Sequence, residues 1–224
     1  MSYVVFEEKA LEYDAWFDEN RVIYESELKL LKKFFPCRKP CLEVGVGTGR
    51  FAAPLGVDVG LDPSFAALSI AVKRGVMGVL GFGEEMPFRD RYFSTAYLIV
   101  TLCFLEDPER VLAEVSRVLE DHGKLVACII PLDSPWGRFY AEKKEKGVSE
   151  FYKYATFYTR SQVKQMLRRA GFKITRAGCT LRYPPTSKPI PEEPVEGEEG
   201  SFVCYEAVKA STQDSQTQLS LDSH

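Results

Sequence analysis

The chain has 224 residues, enough to bury one full α/β core and short for two. Hydrophobic residues at 45% and charged residues at 27% exclude a wholly disordered chain, and a net charge of −3 argues against the basic face that a nucleic-acid partner would need. No apolar run approaches the ~20 residues of a membrane span, and the opening Met1-Ser2-Tyr3-Val4-Val5-Phe6-Glu7-Glu8-Lys9 lacks the basic-then-apolar order of a secretion signal, so a cytoplasmic protein without a membrane partner is expected.

Residues 1–36 read as an N-terminal helical cap. Tyr13 and Trp16 are three apart and share a helix face. Further on, Tyr24, Leu28, Leu31 and Phe35 form one stripe of a helix that stops before Pro36. A strand at 41–44 then runs straight into Gly45-Val46-Gly47-Thr48-Gly49-Arg50. Three glycines on alternate positions let a nucleoside-bearing ligand approach backbone amides that a Cβ would block. Arg50 occupies the position where the dinucleotide fingerprint G-x-G-x-x-G requires its third glycine. Glu43, two residues before the first glycine, would repel a pyrophosphate and suits a cationic ligand such as S-adenosylmethionine (SAM), with its sulfonium and ammonium.

A short helix at 51–55 leads to a second strand at 57–61. Asp62 follows at the spacing where an acid grips ribose hydroxyls. Pro63 opens a helix that runs to Arg74 and stops at Gly75. Strands are expected at 76–80, 93–100, 124–130, 172–183 and 202–208, with a turn-rich segment at 81–90. Asp107-Pro108-Glu109 caps a helix whose apolar face is Val111, Leu112, Val115, Val118 and Leu119, and a further helix spans 159–170. The alternation calls for a parallel sheet with helices on both faces. Two segments break it: 132–158 is dense in aromatic residues, and 184–200 is rich in Pro and Glu and reads as an exposed loop. The expected organisation is the cap at 1–36, a ligand-binding domain at 37–209 with a lid insertion at 132–158, and a polar disordered tail at 210–224.

Six cysteines (Cys37, Cys41, Cys103, Cys128, Cys179 and Cys204) include no C-x-x-C, so no metal site is expected, and a reducing cytoplasm would leave them as buried thiols. The only histidines are His122, in a turn entering a strand, and His224, in the tail. Ligands bind at the carboxyl ends of parallel strands, so histidine catalysis is excluded.

The sequence resembles the class I SAM-dependent methyltransferases, in particular the group that includes the ubiquinone-biosynthesis enzymes. Five features carry the resemblance over roughly residues 40–130: Glu43-x-Gly45-x-Gly47-x-Gly49, Gly60-Leu61-Asp62-Pro63-Ser64, Glu85-Met86-Pro87-Phe88, Leu105-Glu106-Asp107-Pro108-Glu109, and Arg117-Val118-Leu119 followed by Gly123-Lys124-Leu125. The opening Tyr13-Asp14-x-Trp16-Phe17-Asp18 is similar to the segment that closes over the site in that group. The resemblance implies an α/β, Rossmann-like fold with a seven-stranded, mostly parallel sheet, helices on both faces and a final antiparallel hairpin. It implies SAM as cofactor and S-adenosylhomocysteine (SAH) as product. Gly45, Gly47 and Gly49 would lie along the methionine part, Glu43 would orient the loop, and Asp62 would bond both ribose hydroxyls. Adenine would lie near Gly83 and Glu84, between Pro63 and Met86, with Leu98 also among the cofactor contacts. The family's usual Asp for the adenine amino group is replaced by Phe82, leaving adenine to stacking or to Glu84.

Methyl transfer needs in-line positioning and desolvation more than a base. Candidate acceptor-pocket residues are Tyr13, Trp16 and Phe17, then Thr101, Cys103 and Phe104, then Trp136, Phe139 and Tyr140. The D/N-P-P-Y/F motif of amino-methylating nucleic-acid enzymes is absent, since Ile99-Val100-Thr101-Leu102 stands in its place. A small-molecule acceptor, taken up by a monomer or homodimer, is therefore expected. The competing reading is a SAM-binding module without catalysis that acts through protein partners.

Overall fold

The computed structural model describes residues 2–210. Three helices, α1 (Tyr3–Glu8), α2 (Ala10–Glu19) and α3 (Arg21–Phe34), precede the sheet. Alternation then begins: β1 (Cys41–Val44), α4 (Ala52–Leu55), β2 (Val59–Asp62), α5 (Phe65–Lys73), β3 (Met77–Leu80), β4 (Phe93–Ile99), α6 (Pro108–Val118), β5 (Leu119–Ile129), α7 (Pro135–Glu145), α8 (Arg160–Arg169), β6 (Phe172–Thr180), β7 (Val195–Glu196) and β8 (Phe202–Lys209).

The strands form one sheet in the order β3-β2-β1-β4-β5-β8-β6-β7. The five strands from β3 to β5 are parallel, and β8 inserts antiparallel between β5 and β6. Strands β1, β2 and β4 are buried along their whole length, because helices cover both faces. Val111, Leu112 and Val115 of α6 with Val163 and Leu167 of α8 fill one layer. Leu30 and Leu31 of α3, Leu68 and Ala71 of α5, and Trp136 and Tyr140 of α7 fill the other. Helix starts follow their sequence signals. Ser64 caps α5 through Ala67 N–H, Asp107 caps α6 ahead of Pro108, and Thr159 with Gln162 forms a capping box on α8. Chain order reverses between β1 and β4, and the loops leaving their carboxyl ends open a crevice there.

Four expectations need correction. The sheet has eight strands rather than seven, because Val195–Glu196 adds to the edge of β6 opposite Gly178 and Cys179. The Pro/Glu-rich segment is therefore partly ordered against the sheet. The buried face of α3 is Ile23, Ser26, Glu27, Leu30 and Leu31, so the stripe is turned from the one read and contains an acid. Four of the six cysteines are paired, Cys37 with Cys41 and Cys128 with Cys204. Cys128 and Cys204 are direct register partners on β5 and β8, a proximity that 76 residues of separation conceal. The tail, beyond Ala210, and His224 lie outside the described residues. Among those residues no helix is long and apolar enough to cross a membrane.

Candidate functional site

At the carboxyl end of the parallel strands lies a cavity of about 680 Å³. Its floor is the turn after β1. Gly45, Gly47 and Gly49 all take positive φ (73°, 52° and 77°), a region that L side chains rarely enter. Each is needed for a different reason. A Cβ on Gly45 would fall 2.4 Å from the Thr101 methyl, and one on Gly49 would fall 2.9 Å from the Ala71 side chain. At Gly47 the nearest atom is the Tyr13 ring at 3.6 Å, so this glycine keeps the cavity side of the loop open. Gly45 and Gly47 line the cavity, whereas Gly49 serves packing against α5.

Asp62, at the end of β2, pins this loop. One carboxylate oxygen accepts from Gly47 N–H at 2.8 Å and the other from Ser64 N–H at 2.8 Å. Burial raises its pKa to about 6, partly offset by these two amides. Each oxygen keeps a lone pair for a ligand hydroxyl. Glu43 is only 2% exposed, and its Oε2 has no hydrogen-bond partner. Burial, then the charge of Asp62, pushes Glu43 well above the usual carboxylate range. The loop is therefore not oriented by hydrogen bonds from Glu43, and the side chain stays an unpaired acid beneath it.

Around the rim, Pro63, Gly83, Glu84, Thr101, Phe104 and Tyr13 also line the cavity. Met86 and Leu98 do not. Both are packed into the core between the sheet and α6, because the register of these segments turns their side chains inward. Phe17 and Trp136 are buried in the opposite layer, and Tyr140 with them. Trp16 packs edge-on against Phe17. Cys103 donates its thiol to the Val100 carbonyl, and burial pushes it up to about 12, so it is not a thiolate at neutral pH. Val100 itself lies on the cavity wall at φ 55°, a strained backbone for a β-branched residue.

Ser2, Tyr3 and Phe6 also line the cavity and escape motif reading. Tyr3 and Phe82 meet edge-on, with ring centroids 5.5 Å apart, at one end of the cavity. Ser2 donates to the Phe104 carbonyl, and Phe6 packs on Tyr13 and Phe104 at 5.1 Å. Glu7 accepts from Ser64 Oγ and from Ala66 N–H at the start of α5, which holds its carboxyl below the usual range. The aromatic run from Tyr3 to Phe17 is the sequence signal for this wall, although nothing local says that α1 folds over the β2 end.

The N-terminal helices are also clamped by charge. Arg50, the residue that breaks the dinucleotide fingerprint, forms ion pairs with Asp14 and Asp18 of α2, and Arg74 binds the same Asp14 and the Thr48 carbonyl. Burial pushes Asp14 up, but the hydrogen bonds from Arg50 and Arg74 outweigh it and hold the carboxyl well below its ordinary range. Phe151 packs on Phe6 and Tyr13 at 5.6 and 5.7 Å, so the aromatic insertion meets the N-terminal helices over the cavity.

Residues 42–127 match the family model of a methyltransferase domain. A crystal structure from Thermotoga maritima, described as a SAM-dependent methyltransferase and possible histamine N-methyltransferase, superposes with a TM-score of 0.88 at 38% identity, covering 93% of this chain and 100% of that one. This chain belongs to the class I SAM-dependent methyltransferases. An uncharacterised protein of Methanocaldococcus jannaschii is 42% identical over 206 residues, 92% of this methyltransferase and 98% of its relative. The demethylmenaquinone methyltransferase of T. maritima is 29% identical over 160 residues, covering 60% of this chain and 70% of that one. The cofactor is SAM, and the site fits it. The open face at Gly47 and the free lone pairs of Asp62 match a ligand with ribose hydroxyls, while Glu43 lies buried off the cavity wall.

Proposed function

We propose that this methyltransferase transfers a methyl group from SAM to a small-molecule acceptor held under the aromatic N-terminal wall. The observation that carries the reading is the pairing of Asp62 with Gly47 on the wall of a cavity roofed by Tyr3, Phe6, Tyr13 and Phe104. When bound, SAM supplies a methyl group activated by its sulfonium. Asp62 would accept from the ribose hydroxyls, and Gly45 and Gly47 would lie along the methionine portion. Pro63, Gly83 and Glu84 would border adenine, with Phe82 and Tyr3 as its aromatic neighbours. Thr101, Phe104 and Tyr13 face the acceptor.

The protein's contribution is positioning and exclusion of water. Residues 10–20 and 132–158 act together as a two-part lid, and the contacts of Phe151 with Phe6 and Tyr13 support this. Neither Cys103, held as a thiol, nor His122, which lies exposed within β5 rather than in a turn before it, serves as a base. The same reading has the enzyme working in the cytoplasm as a monomer or homodimer, without nucleic acid. Incubation with SAM labelled on its methyl group and a metabolite panel tests the proposal. Labelled product from one acceptor class supports it. SAM binding without transfer to any member would favour a binding module that acts through protein partners.

A further inference from the structure

Cys37, Cys41 and Asp58 meet at the amino ends of β1 and β2, at the opposite end of the sheet from the cavity. Cys37 lies in the connection after α3, Cys41 is the first residue of β1, and Asp58 immediately precedes β2. The two sulfurs and one carboxylate oxygen all lie within 4.8 Å of one another. Among the described residues no other three Cys, His, Asp or Glu side chains converge in this way. Cys41 is fully buried, whereas Cys37 and Asp58 are half-buried, so the cluster is closed on its inner side and open to an ion from solvent on its outer side. Burial pushes the Asp58 carboxyl up, but the Lys39 ammonium at 2.7 Å and the Cys41 N–H at 2.9 Å outweigh it and hold the group below its ordinary value. Asp58 is therefore an anion at neutral pH. The Gly56 carbonyl, 3.8 Å from Cys37 Sγ, brings a further oxygen to the same place.

The absence of C-x-x-C does not exclude a metal here, because Cys37-x-x-x-Cys41 also falls within the spacing that zinc ligands use. Its Cα atoms are 6.2 Å apart. Zinc holds sulfur at about 2.3 Å and carboxylate oxygen at about 2.0–2.2 Å, which puts neighbouring tetrahedral donors about 3.5–3.8 Å apart, inside the observed envelope. Two soft thiolates favour zinc over magnesium or calcium. We propose that Cys37, Cys41 and Asp58 form a structural zinc site when the Cys37–Cys41 disulfide is reduced. The disulfide and the metal site are alternative states of the same two sulfurs. A dithiol reductant supplies two electrons and two protons, leaving two thiols here and closing into its own disulfide. Zinc then displaces the two thiol protons to solvent, and each sulfur binds it as a thiolate. Two thiolates and a carboxylate carry one negative charge more than zinc neutralises, and the Lys39 ammonium beside Asp58 offsets it. Either state ties the end of α3 to β1; the metal also ties both to β2.

The test reduces the full-length protein with tris(2-carboxyethyl)phosphine, removes the reductant under nitrogen and titrates zinc against a chromophoric chelator. One equivalent per chain should bind, the melting temperature should rise with zinc, and the oxidised protein should bind none. Cobalt(II) in place of zinc should give thiolate charge-transfer absorption and the intense visible bands of a tetrahedral site. Asp58→Asn leaves both sulfurs in place and should weaken zinc at least about tenfold, since loss of even an outer partner of a metal ligand costs that much. Cys37→Ser, at a half-buried position, should remove most of the charge-transfer absorption. Replacing the other pair, Cys128→Ala with Cys204→Ala, should leave stoichiometry and affinity unchanged. Circular dichroism checks the fold of each variant. No zinc uptake by the reduced, folded protein would overturn the site. So would equal uptake by the oxidised protein, an affinity indifferent to both Asp58→Asn and Cys37→Ser, or uptake that follows Cys128 and Cys204. The site lies at the far end of β1 from the glycine turn, so SAH affinity should be the same with and without zinc. A dependence on zinc would overturn the purely structural role.

Discussion

The donor end and the aromatic side of the cavity are built in opposite ways. The donor end comes from one contiguous stretch, β1, its glycine turn and the end of β2. Backbone geometry does most of the work there: three positive-φ glycines, and one carboxylate that receives two amides. The aromatic side is assembled from α1, α2, the loop after β4 and Phe151 of the insertion, segments far apart in the chain. Function at the first end depends on what a side chain must not be. At the second it depends on side chains brought together from distant places. A mutation should therefore abolish donor binding at the first end, and retune specificity or stability at the second.

The largest expected effect is at the turn. Gly47→Val puts a β-branched residue at φ 52° and directs its side chain toward the Tyr13 ring. SAH binding should disappear in calorimetry, while circular dichroism shows a folded protein. A folded variant that binds SAH normally would make this loop structural only. Next is Asp62→Ala, which removes the acceptor of Gly47 N–H together with the proposed ribose contact. SAM affinity should fall at least about tenfold, in keeping with ~1.5–3 kcal/mol for a hydrogen bond to a charged group. Unchanged affinity would place the ribose elsewhere.

On the buried face of α3 the expected effect is on stability. Burial raises Glu27 from its ordinary 4.5 to about 8. Between those values the folded chain holds a proton that the unfolded chain has released. Stability is thus fully present at acid pH and falls as pH rises, by at most about 1.4 kcal/mol per unit for this group. Glu27→Gln should flatten that slope in denaturation series across the window. The raised Asp62 and Glu43 remain in both proteins and cancel in the difference. A slope unaltered by the substitution would show that Glu27 is not held neutral. The smallest effect is local. Asp14→Asn weakens the clamp to Arg50 and Arg74, so hydrogen exchange should rise in residues 3–19 with little change in the sheet. Under the two-part lid, SAH should increase protection in both 10–20 and 132–158. Protection confined to the glycine turn and the ends of β2 and β3 would indicate a preformed open site.

The two ends also differ in how far the sequence discloses them. Gly45, Gly47 and Asp62 are readable because their spacing is local and each meets a backbone requirement. Met86 and Leu98 lie in segments of the right order, but strand register and loop direction turn them into the core. Trp136 reads as a pocket residue from its aromaticity, yet it donates to the Tyr183 carbonyl at 2.8 Å and is only 5% exposed. Glu27 is hidden because a charged residue in an amphipathic helix reads as solvent-facing; its signal is its place between Ile23 and Leu30, four residues after one and three before the other. Strand β7 and the Cys128–Cys204 pair depend on sheet register, which composition does not encode.

A crystal structure with SAH bound tests the central claim most directly. The account predicts the ribose hydroxyls against the Asp62 carboxylate, the thioether beside Gly47 near the Tyr13 ring, and the adenine at the Tyr3–Phe82 end of the cavity. SAH seated elsewhere, or in the cavity without contact to Asp62, would contradict it.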